Sequence, residues 1–479
     1  MMGRHRFSAK LYYQLSLDQL VPQDHLLRRI ADHIDFSFVY GLALPYYSHT
    51  GQPSVDPVVL FKTLLVGYLY GVTSERRLMQ EIQVNMPYRW FLGYDLDEPV
   101  PDHSVLSKAR VRFGMDVFES FFNQSIELCK QAGLVHGEAA FFDSTLMRAS
   151  ASMDALEPID GHRPPMETAR YVQRLFEENA DSTDEPLAPD GVPEDTPPAD
   201  AVPVKRLPAN QRDRSRTDPD ASIMRHRAFG THLAYKAHVA VDDHPARIIT
   251  AAIVTTGTTA DEYLLQELIQ AHEARVGRLP SDVVADRKYG TLENYRRLDE
   301  AGMRAMIPSR NADKRHPGGI WSIKDFSYDS DRDVYTCPAG EALSRQFVRE
   351  SDQTIQYKAP PDVCASCRFR AQCSPPGRPR GLRRHLDRVF LEDAERRLAT
   401  EEGRGRMRQR QVYVETVFGW AKERHGMRRA QWRGRWRVQI QVWLTAAAMN
   451  MKKLAKYGAT ASQLGPQPGS FSLLNLLAV

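Results

Sequence analysis

Along the first third of the chain, apolar residues recur at three- and four-residue spacings, and beyond it they switch to alternation. The helical spacing runs through residues 18–40 and 56–71. Pro57 directly after Asp56 is a cap-then-proline helix start. Thr73 or Ser74 is placed to cap the next helix (SERRLMQEIQVN), and Asp102, His103 and Ser104 precede another (VLSKARVRFG). Residues 1–135 therefore read as an all-α domain of short helices joined by tight turns. With Arg76, Arg77, Lys108, Arg110 and Arg112 available, it fits a helix-turn-helix-like DNA-binding domain, although a plain packing bundle carries the same pattern.

The pattern then becomes strand-like. Residues 138–147 (EAAFFDSTLM) read as an apolar strand ending in Asp143, 232–241 and 248–256 as a hairpin around the turn 242–247, and 283–285 as a short buried strand ending in Asp286. Helices are expected over 261–271, capped by Thr259 or Asp261, and over 292–301, with a last strand in 304–310. A hairpin followed by alternating helix and strand predicts an α/β fold, a mixed sheet with flanking helices over 136–310. Carboxylates at strand ends point into the crevice where such sheets place ligands. Within this region, 177–203 holds nine acids, six prolines and no Lys or Arg, the composition of a disordered loop. From 311 to 394 the rhythm is lost. Residues 395–456 return to helix, with an apolar terminal helix at 438–454, and 457–479 reads as a tail.

Composition refines this outline. The net charge of +4 conceals segregation, since residues 404–437 hold eleven Lys/Arg against Glu415 and Glu423. Such density suggests a polyanionic partner, with a solvated helix face as the alternative. The basic N-terminus carries no signal-peptide pattern and no stretch is long and apolar enough for a bilayer, so a cytoplasmic protein is expected. Five cysteines in such a chain point to metal rather than disulfides. Cys337, Cys364, Cys367 and Cys373 include a C-x2-C pair and fit a structural four-thiolate zinc site, a reduced thiol cluster being the alternative. Cys129 reads as a buried apolar side chain.

The basic stretch 408–429 (RQRQVYVETVFGWAKERHGMRR) has helical spacing. Arg408, Glu415 and Lys422 are seven residues apart and share one helix face. Glu415 alone reads as an ion-pair partner, and each strand-end aspartate alone as a turn former. Together, Asp143, Asp286 and Glu415 supply the hard oxygens that two Mg²⁺ (or Mn²⁺) ions about 4 Å apart require for phosphodiester chemistry. Arg428, Arg429 and the arginines up to Arg437, interleaved with Trp432 and Trp436, suit a grip on DNA; the alternative is a solvated basic face with its aromatics anchored in the core.

The segments FFDSTLMRA around Asp143, TDPDASI at 217–223, YKAHVAVD at 235–242, VVADRKYG around Asp286 and VYVETVFGWAK around Glu415 carry a resemblance. The chain resembles bacterial insertion-sequence transposases of the DDE class, and residues 18–112 resemble the helical domain that begins many of them. The resemblance implies a ribonuclease-H-like core, Asp143, Asp286 and Glu415 as metal-binding catalytic triad, and Lys422 as the lysine following the glutamate. In the related signature Tyr-x2-Arg-x3-Glu-x6-Lys, this chain has Arg408 for the tyrosine and Gln411 for the arginine, so the glutamate and lysine carry over and the upstream phosphate contacts do not, with Arg408 or Arg410 the candidates to substitute. The implied activity is binding of terminal inverted repeats, cleavage of the ends and strand transfer into target DNA. The implied partners are double-stranded DNA and a second copy of the chain in a synaptic homodimer, at the bacterial nucleoid. A metal-dependent nuclease without strand transfer and an inactive DNA-binding relative are the competing readings. A Cys-rich insertion, zinc-stabilised, is expected between Asp286 and Glu415.

Overall fold

The structure is a computed structural model of the 479-residue chain that describes residues 16–48, 54–159, 208–226, 230–310, 320–374 and 379–461. The acidic stretch 177–203 and residues 462–479 of the expected tail lie outside these.

The first apolar pattern divides into three helices, α1 (Leu17–Leu20), α2 (Leu26–His33) and α3 (Phe38–Ala43). Pro22 has no N–H to continue α1. The Asp35 carboxylate accepts from the Ser37 N–H (2.9 Å) and hydroxyl (2.6 Å), closing a turn before α3. Helix α4 (Pro57–Tyr70) starts at Asp56, whose carboxylate accepts from the Val58 N–H at 2.7 Å, and stops at left-handed Gly71. Ser74 caps α5 (Glu75–Val84) and Asn85 caps α6 (Met86–Leu92). The long α7 (Ser104–Gln131) is broken at Gly114, φ 62°. One cation expected at a DNA surface is instead inside: Arg110 is 4% exposed, paired with Glu75, its guanidinium 4.0 Å above the Trp432 ring. Trp432 is thereby an anchor of the helical region, as the packing alternative had it.

Strand β1 (Ala139–Arg148) is the centre of the main sheet. A two-stranded ribbon follows, β2 (Leu156–Pro158) with β3 (Asp213–Ser215), the latter entered from α8 (Ala209–Arg212). Next come β4 (Ser222–His226), the long β5 (Gly230–Asp242), β6 (Ile249–Thr256), α9 (Leu265–Val276), β7 (Asp282–Ala285), α10 (Leu292–Glu300) and β8 (Arg304–Met306). One edge of β5 pairs antiparallel with β1; the other carries β4 and then β6, also antiparallel. β7 and β8 run parallel to β1, joined by the α10 crossover. Alternation in β1 divides the core. Phe141 faces a cluster shared with the N-terminal helices, and Phe142 faces another with Leu268, Val283 and Leu298.

Residues 327–385 form a second, antiparallel sheet in the order β13 (Gly381–His385), β12 (Thr354–Lys358), β11 (Ala342–Arg349), β10 (Val334–Thr336), β9 (Ser327–Asp329). It has its own core of Phe326, Tyr335, Leu343 and Tyr357. Two short helices, α11 (Pro361–Ala365) and α12 (Arg370–Cys373), lie between β12 and β13. The chain ends in α13 (Arg388–Ala399), α14 (Glu401–Arg424) and α15 (Arg435–Ala461), so helix resumes a few residues before the expected 395.

Helix α15 solves the edge of the main sheet. Among the described residues, strand β6 has no strand partner on its outer side, and α15 presents amide side chains to it. Asn450 accepts from the Ile249 N–H (3.0 Å) and donates back to its carbonyl (2.9 Å). Gln439 does the same for the Val254 N–H (2.6 Å) and Ala252 carbonyl (3.0 Å), and the Trp443 indole adds a donor to Ala252. An exposed edge that would otherwise template aggregation is thus covered. No helix among the described residues is long and apolar enough to cross a membrane by itself.

Gly71 joins the two ends of the chain. Its φ is +69°, and a Cβ there would lie 2.7 Å from the Arg424 carbonyl at the end of α14. Gly71→Ala is expected to cost at least about 1 kcal/mol from the left-handed backbone alone, read as a lower denaturation midpoint in urea; an unchanged midpoint would refute the contact.

Candidate active site

The parallel ladder between β1 and β7 pairs Ala139 with Asp282 through to Phe142 with Ala285, and stops. The next residue on each strand is an aspartate, Asp143 and Asp286. Adjacent strands lie about 4.8 Å apart, so the two carboxylates emerge side by side where the sheet opens. Asp143 is not at a strand end, as the sequence suggested. β1 continues to Arg148 because the longer β5 keeps pairing with it, Asp143 opposite Val239. Asp286 does end β7, and its carboxylate accepts from the Lys288 N–H at 2.9 Å, starting a tight turn.

Each carboxylate is compensated. Burial raises the Asp143 pKa and Asp286 adds to the rise, while Arg410 and the Ser144 N–H (2.8 Å) oppose it. The Arg410 guanidinium reaches from α14 to within 2.6 Å of Asp143 Oδ2, with both side chains less than a fifth exposed. Lys288 Nζ lies 4.0 Å from Asp286 and 3.4 Å from a third carboxylate, Asp261.

Asp261 was expected as a helix cap. It makes no capping bond, because a 3-10 turn at Asp261–Leu264 precedes α9 and leaves the carboxylate facing the sheet. It is 2% exposed, 3.3 Å from Lys236 Nζ and 3.5 Å from His238 Nδ1. Burial opposes its ionisation, but a Ser144 hydrogen bond with Lys236 and Lys288 outweighs that and holds its pKa below the usual range. Burial in turn keeps His238 neutral, its Nε2 2.9 Å from the Thr255 hydroxyl.

From the far end of α14, Lys422 Nζ donates to the Thr145 hydroxyl at 2.5 Å, two residues beyond Asp143 and on the same side of β1. α14 therefore spans the open ladder with a cation touching each end of it. Three carboxylates and four cations meet in a crevice on a rigid sheet, an arrangement suited to a hard divalent ion and a phosphate chain.

Comparison with protein-family profiles matches residues 15–112 to a transposase domain of the DUF772 family and residues 336–455 to a transposase DDE domain. The chain belongs to the insertion-sequence transposases of the DDE class. No curated protein gave a significant match. The transposase is accordingly an enzyme that acts on DNA, of a family that normally uses divalent metals. The second match includes Glu415, Lys422 and the four late cysteines; Asp143 and Asp286 fall between the two matched segments and stand on the geometry above.

The other candidate residues of the transposase are placed as follows. Glu415 lies on α14 seven residues before Lys422, thus on the same flank. It is exposed and makes no ion pair or hydrogen bond among the described residues, so it is not a salt-bridge partner, and its carboxylate does not form with Asp143 and Asp286 a group whose oxygens all lie within 4.8 Å of one another. Arg408 and Arg429 are exposed, and Arg428 is exposed and paired with Glu423. Cys337, Cys364, Cys367 and Cys373 all line one small cavity of about 30 Å³ beside the second sheet, with the Glu341 N–H 3.3 Å from Cys337 Sγ. Among the described residues, the cluster with ligand atoms all within 4.8 Å of one another is instead His136, Asp242 and Asp243. There Asp242 accepts from the backbone N–H groups of His136, Gly137 and His244 (2.9, 2.7 and 2.9 Å), pinning the β5–β6 turn to the start of β1. Those three donors give it a structural role.

The residues that sequence reasoning missed are Asp261, Lys236, Lys288 and His238. The single legible signal was Lys236 and His238 alternating with apolar residues in a strand, which placed both on one face. For a divalent ion the donor set fits: two adjacent hard carboxylates whose mutual repulsion is at present relieved by a guanidinium. Arg410 stands where such a cation would sit, so an ion held by Asp143 would have to displace it. Arg410→Ala is expected to lower stability by about 1–3 kcal/mol without metal, since a charged hydrogen bond is lost. It is also expected to show a larger rise in melting temperature on adding Mn²⁺ than the wild type shows. Identical Mn²⁺-induced rises would separate Arg410 from the metal site.

Proposed function

We propose that this transposase binds the terminal inverted repeats of an insertion sequence, cleaves the ends and joins them to target DNA through a two-metal mechanism. The observation that carries the reading is the register that sets Asp143 beside Asp286 where the parallel ladder opens. Strand order β6-β5-β1-β7-β8, three antiparallel strands and then two parallel ones, supports a ribonuclease-H-like core. In this reading Asp143, Asp286 and Glu415 would hold two Mg²⁺ ions, which would supply activation of the attacking water or 3′-hydroxyl and stabilisation of the leaving oxygen. Glu415 approaches the aspartates when Arg410 releases Asp143 and the α14 flank draws in. Lys422, fixed on Thr145, and exposed Arg408, Arg428 and Arg429 meet the phosphates. The protein works as a homodimer on paired ends, at the nucleoid. Domains divide at 1–135, 136–310, 311–394 and 395–456.

The test is cleavage and joining of a matching end by purified protein with Mg²⁺. Because ligands behind the first shell already cost 10–100-fold, Asp143→Asn, Asp286→Asn and Glu415→Gln should each lose more than about 10²-fold. Wild-type activity in any of them removes that residue from the triad. Cleavage without joining would favour the nuclease reading, and DNA binding without cleavage the inactive relative.

The cysteine cavity is proposed as a structural Zn²⁺ site. Four thiols lining one cavity of about 30 Å³ supply the number a closed tetrahedral set needs, and the Glu341 N–H on Cys337 Sγ would support a thiolate. Burial raises the Cys373 thiol pKa and the three neighbouring cysteines raise it further, a crowding that a cation would relieve. Purified protein should carry one zinc per chain, and Cys367→Ser should release it and loosen the second sheet. Zinc-free protein whose folding is indifferent to Cys367→Ser would rule the site out.

A further inference from the structure

The other flank of α14 holds a pocket that the catalytic reading does not use. Five residues at about 100° each place Trp420 about 140° around the helix from Glu415. There a pocket of about 450 Å³ opens between α14, α15 and the β5–β6 turn, lined by Arg247, Trp420, Arg424, Lys452, Lys453 and Lys456 among others. No aspartate or glutamate is among its lining residues. Elsewhere the structure pairs its cations freely with carboxylates: Arg304, Arg384, Arg406 and Arg410 all have acidic partners. None of these five makes an ion pair with an acid among the described residues.

The lack of a counter-charge is unfavourable in itself. Lys453 is 6% exposed, and its ammonium finds only the Arg247 carbonyl. Burial pushes its pKa down to about 7, and Arg247 adds to that. Burial lowers Lys452 too, with Arg424 contributing. The Arg247 guanidinium lies 4.9 Å from the Tyr413 ring centroid, with its Nε buried and unbonded. Trp420, 44% exposed, forms an apolar wall beside these charges. Several cations that depress one another, beside an exposed indole in a concave site, are complementary to a phosphate chain carrying a flat ring.

We propose that this pocket binds DNA backbone phosphates, with Trp420 packing against a base or sugar. It rests on the reading of the chain as a DNA-acting enzyme and adds a second contact, for a stretch of strand that does not lie in the aspartate crevice. Repulsion between Lys452 and Arg424 falls when a phosphate enters, so part of the binding energy is relief of strain already present in the free protein.

The test uses the full chain in EDTA, where metal-dependent contacts are silent. Binding of fluorescein-labelled short single strands and duplexes is followed by anisotropy across a salt series, with inorganic phosphate as competitor. The triple variant Arg424→Ala, Lys452→Ala, Lys456→Ala removes only exposed or half-buried side chains. It is expected to weaken binding at least about tenfold at low salt and to reduce the log–log salt slope by about 2–3. Trp420→Ala should weaken the single strand more than the duplex. Cross-linking of bromodeoxyuridine DNA to Trp420, mapped by mass spectrometry, reads the same site in the unsubstituted chain. Equal affinity and slope in the triple variant, with no cross-link at Trp420, overturn the pocket and leave the DNA-acting enzyme standing. Inorganic phosphate that binds the wild type but not the triple variant, with DNA affinity equal in the two, identifies a free-phosphate site and likewise overturns it. A wild type that binds neither DNA refutes both readings together.

Discussion

Two carboxylates held side by side on adjacent strands repel, and burial strengthens the repulsion. At an effective dielectric of about 20, two unit charges about 4 Å apart interact by about 4 kcal/mol, comparable to a domain's whole net stability. The register of β1 against β7 imposes this cost on Asp143 and Asp286. Much of the surrounding structure is arranged to offset it. Lys288 lies two residues after Asp286 in sequence, Asp261 holds Lys288 and Lys236 in place, and Arg410 comes from a helix far along the chain. The crevice is balanced by cations because its acids are fixed by the sheet and cannot move apart.

Compensation from a distant helix requires that the helix be held in register, and α14 is held at three points. Near its start, Arg406 pairs with Asp282 (3.1 Å) at the beginning of β7, and Arg304 on β8 bridges Asp282 and Glu402. In its middle, Val414, Val417 and Phe418 pack into the main core, with Tyr413 against Phe141. At its end, Lys422 meets Thr145, and the Arg424 carbonyl abuts Gly71. Helix α15 then covers β6 with Gln439, Trp443 and Asn450, fixing the sheet edge that β5, and through it β1, depends on. The N-terminal helices join the same apolar cluster.

The sheet was legible because alternation and short apolar runs report strands directly: the hairpin and the strand before Asp286 stand where the pattern put them, while the helix between them, expected over 261–271, runs Leu265–Val276 after a 3-10 turn. The span of β1, expected over 138–147 and found at Ala139–Arg148, was legible too, but the place of Asp143 inside it and not at its end was not, since whether a strand continues past an aspartate depends on the partner that pairs with it. Long-range charge pairing was also hidden. Nothing in the local sequence shows that Arg110 is buried beneath Trp432 while its neighbour Arg112 stays exposed, or that Arg410 rather than Arg408 faces inward. A helical wheel reveals such a choice only once the buried face is known, and here Val414, Val417 and Ala421 set it. Asp261 was misread for the same reason, because a capping position and a crevice position look identical until the turn after β6 is seen. The polar residues within the apolar 438–454 pattern did carry a signal. Gln439 and Asn450 in a packed helix require buried partners, and the unpaired edge of β6 supplies them.

The same arginine that stabilises the crevice also stands in its way. A protein folding without metal needs Arg410 on Asp143, because an unpaired buried carboxylate would cost more than the pair. A divalent ion offers the two aspartates twice the charge in a smaller volume, and it leaves the guanidinium free on a helix that already faces outward with other cations. Arg410 has an alternative partner only if phosphate is present when the metal arrives. In the proposed mechanism, metal binding and DNA binding are coupled through this one side chain, each lowering the cost of the other. Exchange of Asp143 for phosphate leaves Arg410 paired throughout, so the site can pass from a folded resting state to a loaded one without exposing an uncompensated charge.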